Sequence, residues 1–98
     1  MSFELDVTSK SKADIAGARK WYEQEQVGVG EKFLEAIKRT FEQICERPET
    51  FPIIHKDVRF AKTDPFPYVV YFQIVGRSVL VSAVVHARRH PRVWRSRL

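Results

Sequence analysis

At Pro48 the apolar pattern of this chain changes period, and no other feature constrains its fold as much. Before it, Phe33, Leu34, Ile37, Phe41, Ile44 and Cys45 recur at helical spacing among Glu, Lys, Arg and Gln, which places one apolar stripe along a helix. Proline cannot continue that helix and drives the preceding residue out of the helical region, so the helix ends at Arg47. After Phe51-Pro52 the apolar residues alternate, the pattern of strands with one buried face. A chain that is helical first and extended later must pack its helices on its sheet, and the fold class expected is α+β.

The remaining elements follow from local signals. Phe3-Glu4-Leu5-Asp6-Val7 alternates apolar and acidic residues and predicts a first strand whose acids face water. Ser11-Lys12-Ala13-Asp14 predicts a helix start, with the Ser11 hydroxyl accepting from first-turn amides and Asp14 near the positive end of the dipole. Ile15, Ala18, Trp21 and Tyr22 follow at helical spacing until Gln26-Val27-Gly28, where glycine stops the helix. So short a connection to the next helix implies an antiparallel hairpin. Three strands are predicted downstream, near Asp57 to Lys62, from Tyr68 to Val75, and from Ser78 to about Val85 or His86. Thr63-Asp64-Pro65 joins the first two, and Gly76-Arg77 suits a type II′ hairpin turn between the last two. The expectation is a single domain over residues 1–98: an N-terminal strand, a helical hairpin, then a three-stranded antiparallel meander, with both helices on one face of a small twisted sheet. In the last strand Val79, Val81, Ala83 and Val85 are assigned to the core face. Leu80, Ser82, Val84 and His86 are assigned to the other, facing a groove or partly covered surface with His86 at its rim. The sheet face without helices is the expected working surface.

Charge divides along the chain. Residues 1–58 hold nine Lys/Arg against eleven Asp/Glu, a balance of −2, whereas residues 59–98 hold eight against one, a balance of +7. Such asymmetry suggests a polyanion or an acidic protein as partner for the basic half, or else a merely solvated surface. The sharpest concentration is the exit of the last strand, where Arg88, Arg89, Arg92, Arg95 and Arg97 fall among His86, His90 and Trp94 without an intervening acid. Pro91 breaks the strand there and can open a short C-terminal helix carrying Arg92, Trp94, Arg95 and Arg97. Apolar runs are far shorter than a membrane span and no basic-then-apolar leader opens the chain, so a soluble, cytoplasmic protein without membrane contact is expected. The single Cys45 cannot form an internal disulfide and reads as a small buried hydrophobe.

Several functional classes find no support. Residues 65–98 contain no Asp or Glu to hold magnesium or manganese, and the four-residue spacing of His86 and His90 falls at a strand exit rather than on a helix, so neither a metal site nor a cofactor is expected. No Ser/His/Asp arrangement and no phosphate-binding glycine loop is present. His55 reads as a surface residue, and Trp21 and Tyr22 as helix-packing residues.

Taken in order, Trp21-Tyr22-Glu23, Gly28-Val29-Gly30-Glu31-Lys32-Phe33, Phe51-Pro52, Phe66-Pro67-Tyr68 with Tyr71, and Ala83-Val84-Val85-His86-Ala87-Arg88-Arg89-His90-Pro91 with Trp94 resemble the RelE/ParE superfamily of toxins from bacterial type II toxin-antitoxin (plasmid-stabilisation) modules. The resemblance spans nearly the whole chain and implies a growth-inhibiting protein whose cognate antitoxin wraps it, forming a toxin-antitoxin hetero-oligomer. It also implies one of two mechanisms. The RelE-like branch is a metal-free endoribonuclease acting on mRNA in the ribosome, whereas the ParE-like branch is associated with poisoning DNA gyrase and lacks such a nuclease site.

RNA cleavage through the 2′-hydroxyl needs a base, cations around the phosphate and an acid for the leaving oxygen. Arg88, with Arg59 or Arg89, supplies candidate cations, and His86 is a candidate base or acid. In RelE-like nucleases a functional arginine is followed six residues later by a tyrosine; here that spacing leads from Arg88 to Trp94, whose indole only donates. The ParE-like branch is therefore favoured, with Arg59, Arg88, Arg89, Arg92, Trp94 and Arg95 as the target- or antitoxin-binding set. The RelE-like alternative uses His86 and Arg88, and a non-toxic basic nucleic-acid-binding module is the third reading.

Overall fold

The computed structural model describes residues 2–89 and 92–97. In chain order they form β1 (Glu4–Val7), α1 (Ser9–Glu25), α2 (Val29–Glu46), a 3-10 turn at Pro48–Thr50, β2 (Ile53–His55), β3 (Val58–Lys62), β4 (Tyr68–Val75), β5 (Ser78–His86) and a second 3-10 turn at Val93–Arg97. The sheet order is β1-β5-β4-β3-β2, with β1 parallel to β5 and the other pairs antiparallel. This is the α+β architecture expected, with one short additional strand, β2, pairing along β3. No helix among the described residues is long and apolar enough to cross a membrane.

Helix α1 begins three residues earlier than its sequence suggests. Thr8, not Ser11, is the cap, accepting from the Ser11 amide at 3.2 Å. Ser11 is fully buried instead and donates its hydroxyl to the Val81 carbonyl of β5 at 3.1 Å. The α1–α2 turn is held by Glu23, whose carboxylate accepts from the Gly28 and Gly30 amides at 3.0–3.1 Å. Gly28 takes φ 92°, open to glycine at little cost, and a Cβ on Gly30 would lie 2.9 Å from the Arg19 carbonyl, so the helices meet too closely there for a side chain. Glu23→Ala should lower unfolding free energy by about 1.5 kcal/mol in a denaturant titration, because two amides at a helix start lose a charged acceptor. A loss under about 0.5 kcal/mol, the range of an ordinary surface substitution, would count against this role.

Both sheet faces are covered. On the helix side Phe33, Ile37 and Ile44 of α2 pack on Ala61, Val70, Phe72, Val79, Val81 and Val84. On the other side Val58, Val69, Tyr71, Ala83 and Val85 pack beneath Trp94 from the C-terminal 3-10 turn. Two expectations are corrected here. The second face is not an open working surface, since Trp94, only 6% exposed, covers its centre. Nor do Val79, Val81, Ala83 and Val85 share one face. Between Tyr71 and Phe72 the pairing jumps from Ala83 to Val81, leaving Ser82 as the extra residue of a bulge whose hydroxyl donates to the Tyr71 carbonyl at 3.3 Å. The bulge reverses the alternation beyond it. Val84 and His86 therefore lie on the helix side with their neighbours Val70 and Tyr68, while Ala83 and Val85 turn to the Trp94 side.

At the Gly76-Arg77 turn, Gly76 has φ 61° and Arg77 does not take positive φ, which is the type II′ pattern. Cys45 is buried and free, and burial pushes its thiol pKa up, as the hydrophobe reading requires.

Candidate functional site

The basic residues gather where β5 ends. Tyr68 and His86 are the last pair of the β4–β5 ladder, their rings edge to face at 5.4 Å. Beyond them the Ala87 amide donates to the Pro67 carbonyl at 2.9 Å, and the chain turns. His86 Nδ1 organises that turn, accepting from the Arg88 amide at 3.1 Å and the Arg89 amide at 3.3 Å. A nitrogen that accepts from two amides carries no proton, so the neutral ring with its proton on Nε2 is the form assigned by this network.

The arginines divide into two groups by what they touch. Arg88 and Arg92 are exposed; Arg89 is exposed with its guanidinium 5.3 Å from the Trp21 ring centre, and Arg95 is exposed over Trp94 at 5.2 Å. Two others are committed internally. Arg59 donates to the carbonyls of Glu49 and Phe51, at 3.1 and 2.7 Å, and so staples the 3-10 turn to β3. Arg97 folds inward onto Asp14 of α1, with both guanidinium nitrogens on both carboxylate oxygens and a third donation to the Ser82 carbonyl. Asp14 also accepts from the Val84 amide at 3.0 Å.

This pair corrects the helix-dipole role expected of Asp14. Strand β1 pairs with β5 only as far as Val81, so the outer edge of β5 beyond it would be left with unpaired backbone groups. Asp14 and Arg97 satisfy the Val84 amide and the Ser82 carbonyl there. Sequence reading missed both residues, and no local signal could have joined positions 83 apart.

Trp94 stacks on Tyr71 at 5.7 Å with 27° between the rings, and His55 packs against it at 5.6 Å. Its ring is committed to packing, and His55 is the neighbour of a buried indole rather than an isolated surface residue. His90 and Pro91 lie outside the described residues, and so does any histidine pair involving His90. Among the described residues no group of three or more His, Cys, Asp or Glu could hold a metal ion.

Tyr68 is the phenol nearest His86, but burial pushes its pKa up, only partly opposed by the Arg89 charge, so at neutral pH it holds its proton. His86 Nδ1 is already taken as an acceptor by the Arg88 and Arg89 amides.

Comparison with known proteins shows the family and the fold. The family model described as ParE toxin of type II toxin-antitoxin system, parDE, matches residues 5–91, most of the chain. The chain belongs to the ParE toxin family. Curated proteins yield no sequence match. Among solved structures, the chromosomal ParDE TA system from P. aeruginosa aligns with a TM-score of 0.77 at 16% identity, covering 87% of this chain and 96% of that one. The E. coli toxin RelE, an arginine double mutant in the free state, aligns with a TM-score of 0.64 at 19% identity, covering 99% and 94%. At these identities the two structures establish a shared fold. Within this ParE-family chain, Arg88, Arg89, Arg92 and Arg95 are the exposed members of the set expected from the sequence to bind a target or antitoxin, whereas Arg59 and Trp94 make contacts within the fold.

Proposed function

We propose that this ParE-family toxin inhibits growth by gripping a macromolecular target, DNA gyrase, through Arg88, Arg89, Arg92 and Arg95, and performs no chemistry of its own. One observation carries this reading. Arg88 and Arg89 adjoin His86, whose Nδ1 already accepts from their two amides, and Tyr68, whose phenol burial keeps protonated, so neither group is placed as a general base. A cationic surface on which no described residue is placed to take a proton can bind and hold, and guanidinium forks suit phosphate and carboxylate alike. The closeness of His86 and Arg88 in one turn keeps the metal-free endoribonuclease as the second reading, in which His86 Nε2–H would donate to a phosphate.

Purified protein should inhibit supercoiling by gyrase while leaving ribosome-bound message intact. Arg88→Ala should weaken that inhibition and His86→Ala should leave message integrity unchanged. Cleavage of ribosome-bound message that His86→Ala abolishes would replace the first reading by the second.

The partner in this reading is a cognate antitoxin, an acidic chain that covers the basic surface in a toxin-antitoxin hetero-oligomer. Arg88→Glu should raise the Kd of that complex about tenfold or more, since charge reversal at an exposed interface cation places like charges together. Titration calorimetry reads the effect, and an unaltered Kd would remove Arg88 from the interface.

A further inference from the structure

Where β1 stops, the sheet edge runs beside α1 instead of another strand, and a groove of about 290 Å³ opens between them. Its floor is the bare helix surface at Ala13 and Gly17, and its walls are Trp21, Tyr68, His86 and Arg89. None of these walls belongs to the outward arginine surface except Arg89, which forms the rim of both.

Gly17 is the informative residue. A glycine inside a helix is destabilising relative to alanine, and folds usually keep one where a side chain would collide. Gly30 is such a case, with a Cβ clash against the Arg19 carbonyl. A Cβ on Gly17 would meet nothing within 4 Å, so nothing in this chain's own packing requires the glycine. What its bare backbone does is deepen the groove.

The lining defines the occupant's chemistry. Aromatic and small apolar surfaces suit a bulky apolar side chain, while the Arg89 guanidinium, held over Trp21 with exposed Arg88 next in sequence, gives the rim a positive field. Asp14, the one carboxylate lining the groove, is neutralised by Arg97 and the Val84 amide and does not oppose it. A stacked nucleobase fits less well. It needs an open aromatic face, whereas Arg89 lies over Trp21 and Tyr68 meets His86 edge to face at 76°.

We propose that this groove takes a bulky apolar side chain from an acidic segment of the antitoxin, with a neighbouring carboxylate of that segment on Arg89. The identity of the partner rests on the toxin-antitoxin reading above; the groove and its chemistry do not.

The test uses the full chain and, as probe, the protein encoded by the reading frame adjoining its own, with Kd read by calorimetry and folding by thermal melts. Gly17→Leu fills the floor and should raise Kd about tenfold. Gly17→Ala should melt no lower than the wild type and raise Kd less, and Arg89→Glu should weaken binding through the rim charge. If the wild type binds and Kd is unchanged in both Gly17→Ala and Arg89→Glu, the groove is not the site, whether or not Gly17→Leu folds, and the toxin-antitoxin reading stands. If the wild type does not bind the probe, both fall. An oligouridylate probe provides the remaining arm: binding that Gly17→Leu abolishes, with the protein probe unaffected, makes the groove a nucleic-acid site and overturns the proposal.

Discussion

Asp14→Ala is expected to lower unfolding free energy by about 3 kcal/mol, because it leaves Arg97 without its counter-ion in a partly buried setting and the Val84 amide without an acceptor. The two side chains are only 15% and 17% exposed, so water cannot fully replace either contact. For a domain whose total stability is on the order of 5–15 kcal/mol that is a large loss. Asp14→Asn should cost less, since the amide oxygen can still accept from Val84 while the charge is gone. Urea denaturation midpoints order the three proteins, and an alanine variant as stable as the asparagine one would mean that the Val84 contact contributes nothing.

Trp94→Ala is the second large effect. Its indole is the lid of the core between the sheet and the C-terminal turn, resting on Tyr71, Val69, Ala83 and Val85, and truncation of a buried tryptophan costs about 3–5 kcal/mol. Trp94→Phe should retain much of that. The alanine variant should also bind a hydrophobic dye, because the apolar residues beneath Trp94 on the second sheet face become exposed. Trp94 and Arg97 moor the same five-residue turn, Val93–Arg97, so the Trp94 and Asp14 losses should not add. Once one mooring is cut, the other holds less, and the double variant should be less destabilised than the sum by about 0.5 kcal/mol or more. Strict additivity would show that the two contacts act independently.

These contacts explain how the basic surface is displayed. Five arginines on a loose tail would repel and spread; here Arg97 and Trp94 turn inward and hold the segment against the sheet, leaving Arg92 and Arg95 exposed.

Much of this was legible in the residues. The helical stripe ending at Pro48, the hairpin at Gly28, the turn at Gly76-Arg77 and the exposed character of Arg88, Arg89, Arg92 and Arg95 all depend on interactions within a few residues, and short-range signals reported them. The miss at Ser11 was of a different kind. Thr8 and Ser11 are both good capping residues, and only the approach of the Val81 carbonyl decided that Ser11 would be buried and Thr8 would cap. Arg59 likewise looked like another member of the basic cluster until its carbonyl partners came into place.

The sequence by itself determined the order of the helices and main strands, the charge of the C-terminal half and the absence of acids within the segment that carries its arginines, because periodicity and composition are local properties. The direction in which that surface points was decided by the tertiary structure. In Val79-Leu80-Val81-Ser82-Ala83-Val84-Val85 almost any register buries apolar groups on both faces, so alternation alone could not locate the extra residue. Pairing with β4 placed the bulge at Ser82, turned His86 toward α1, and left the other face to Trp94.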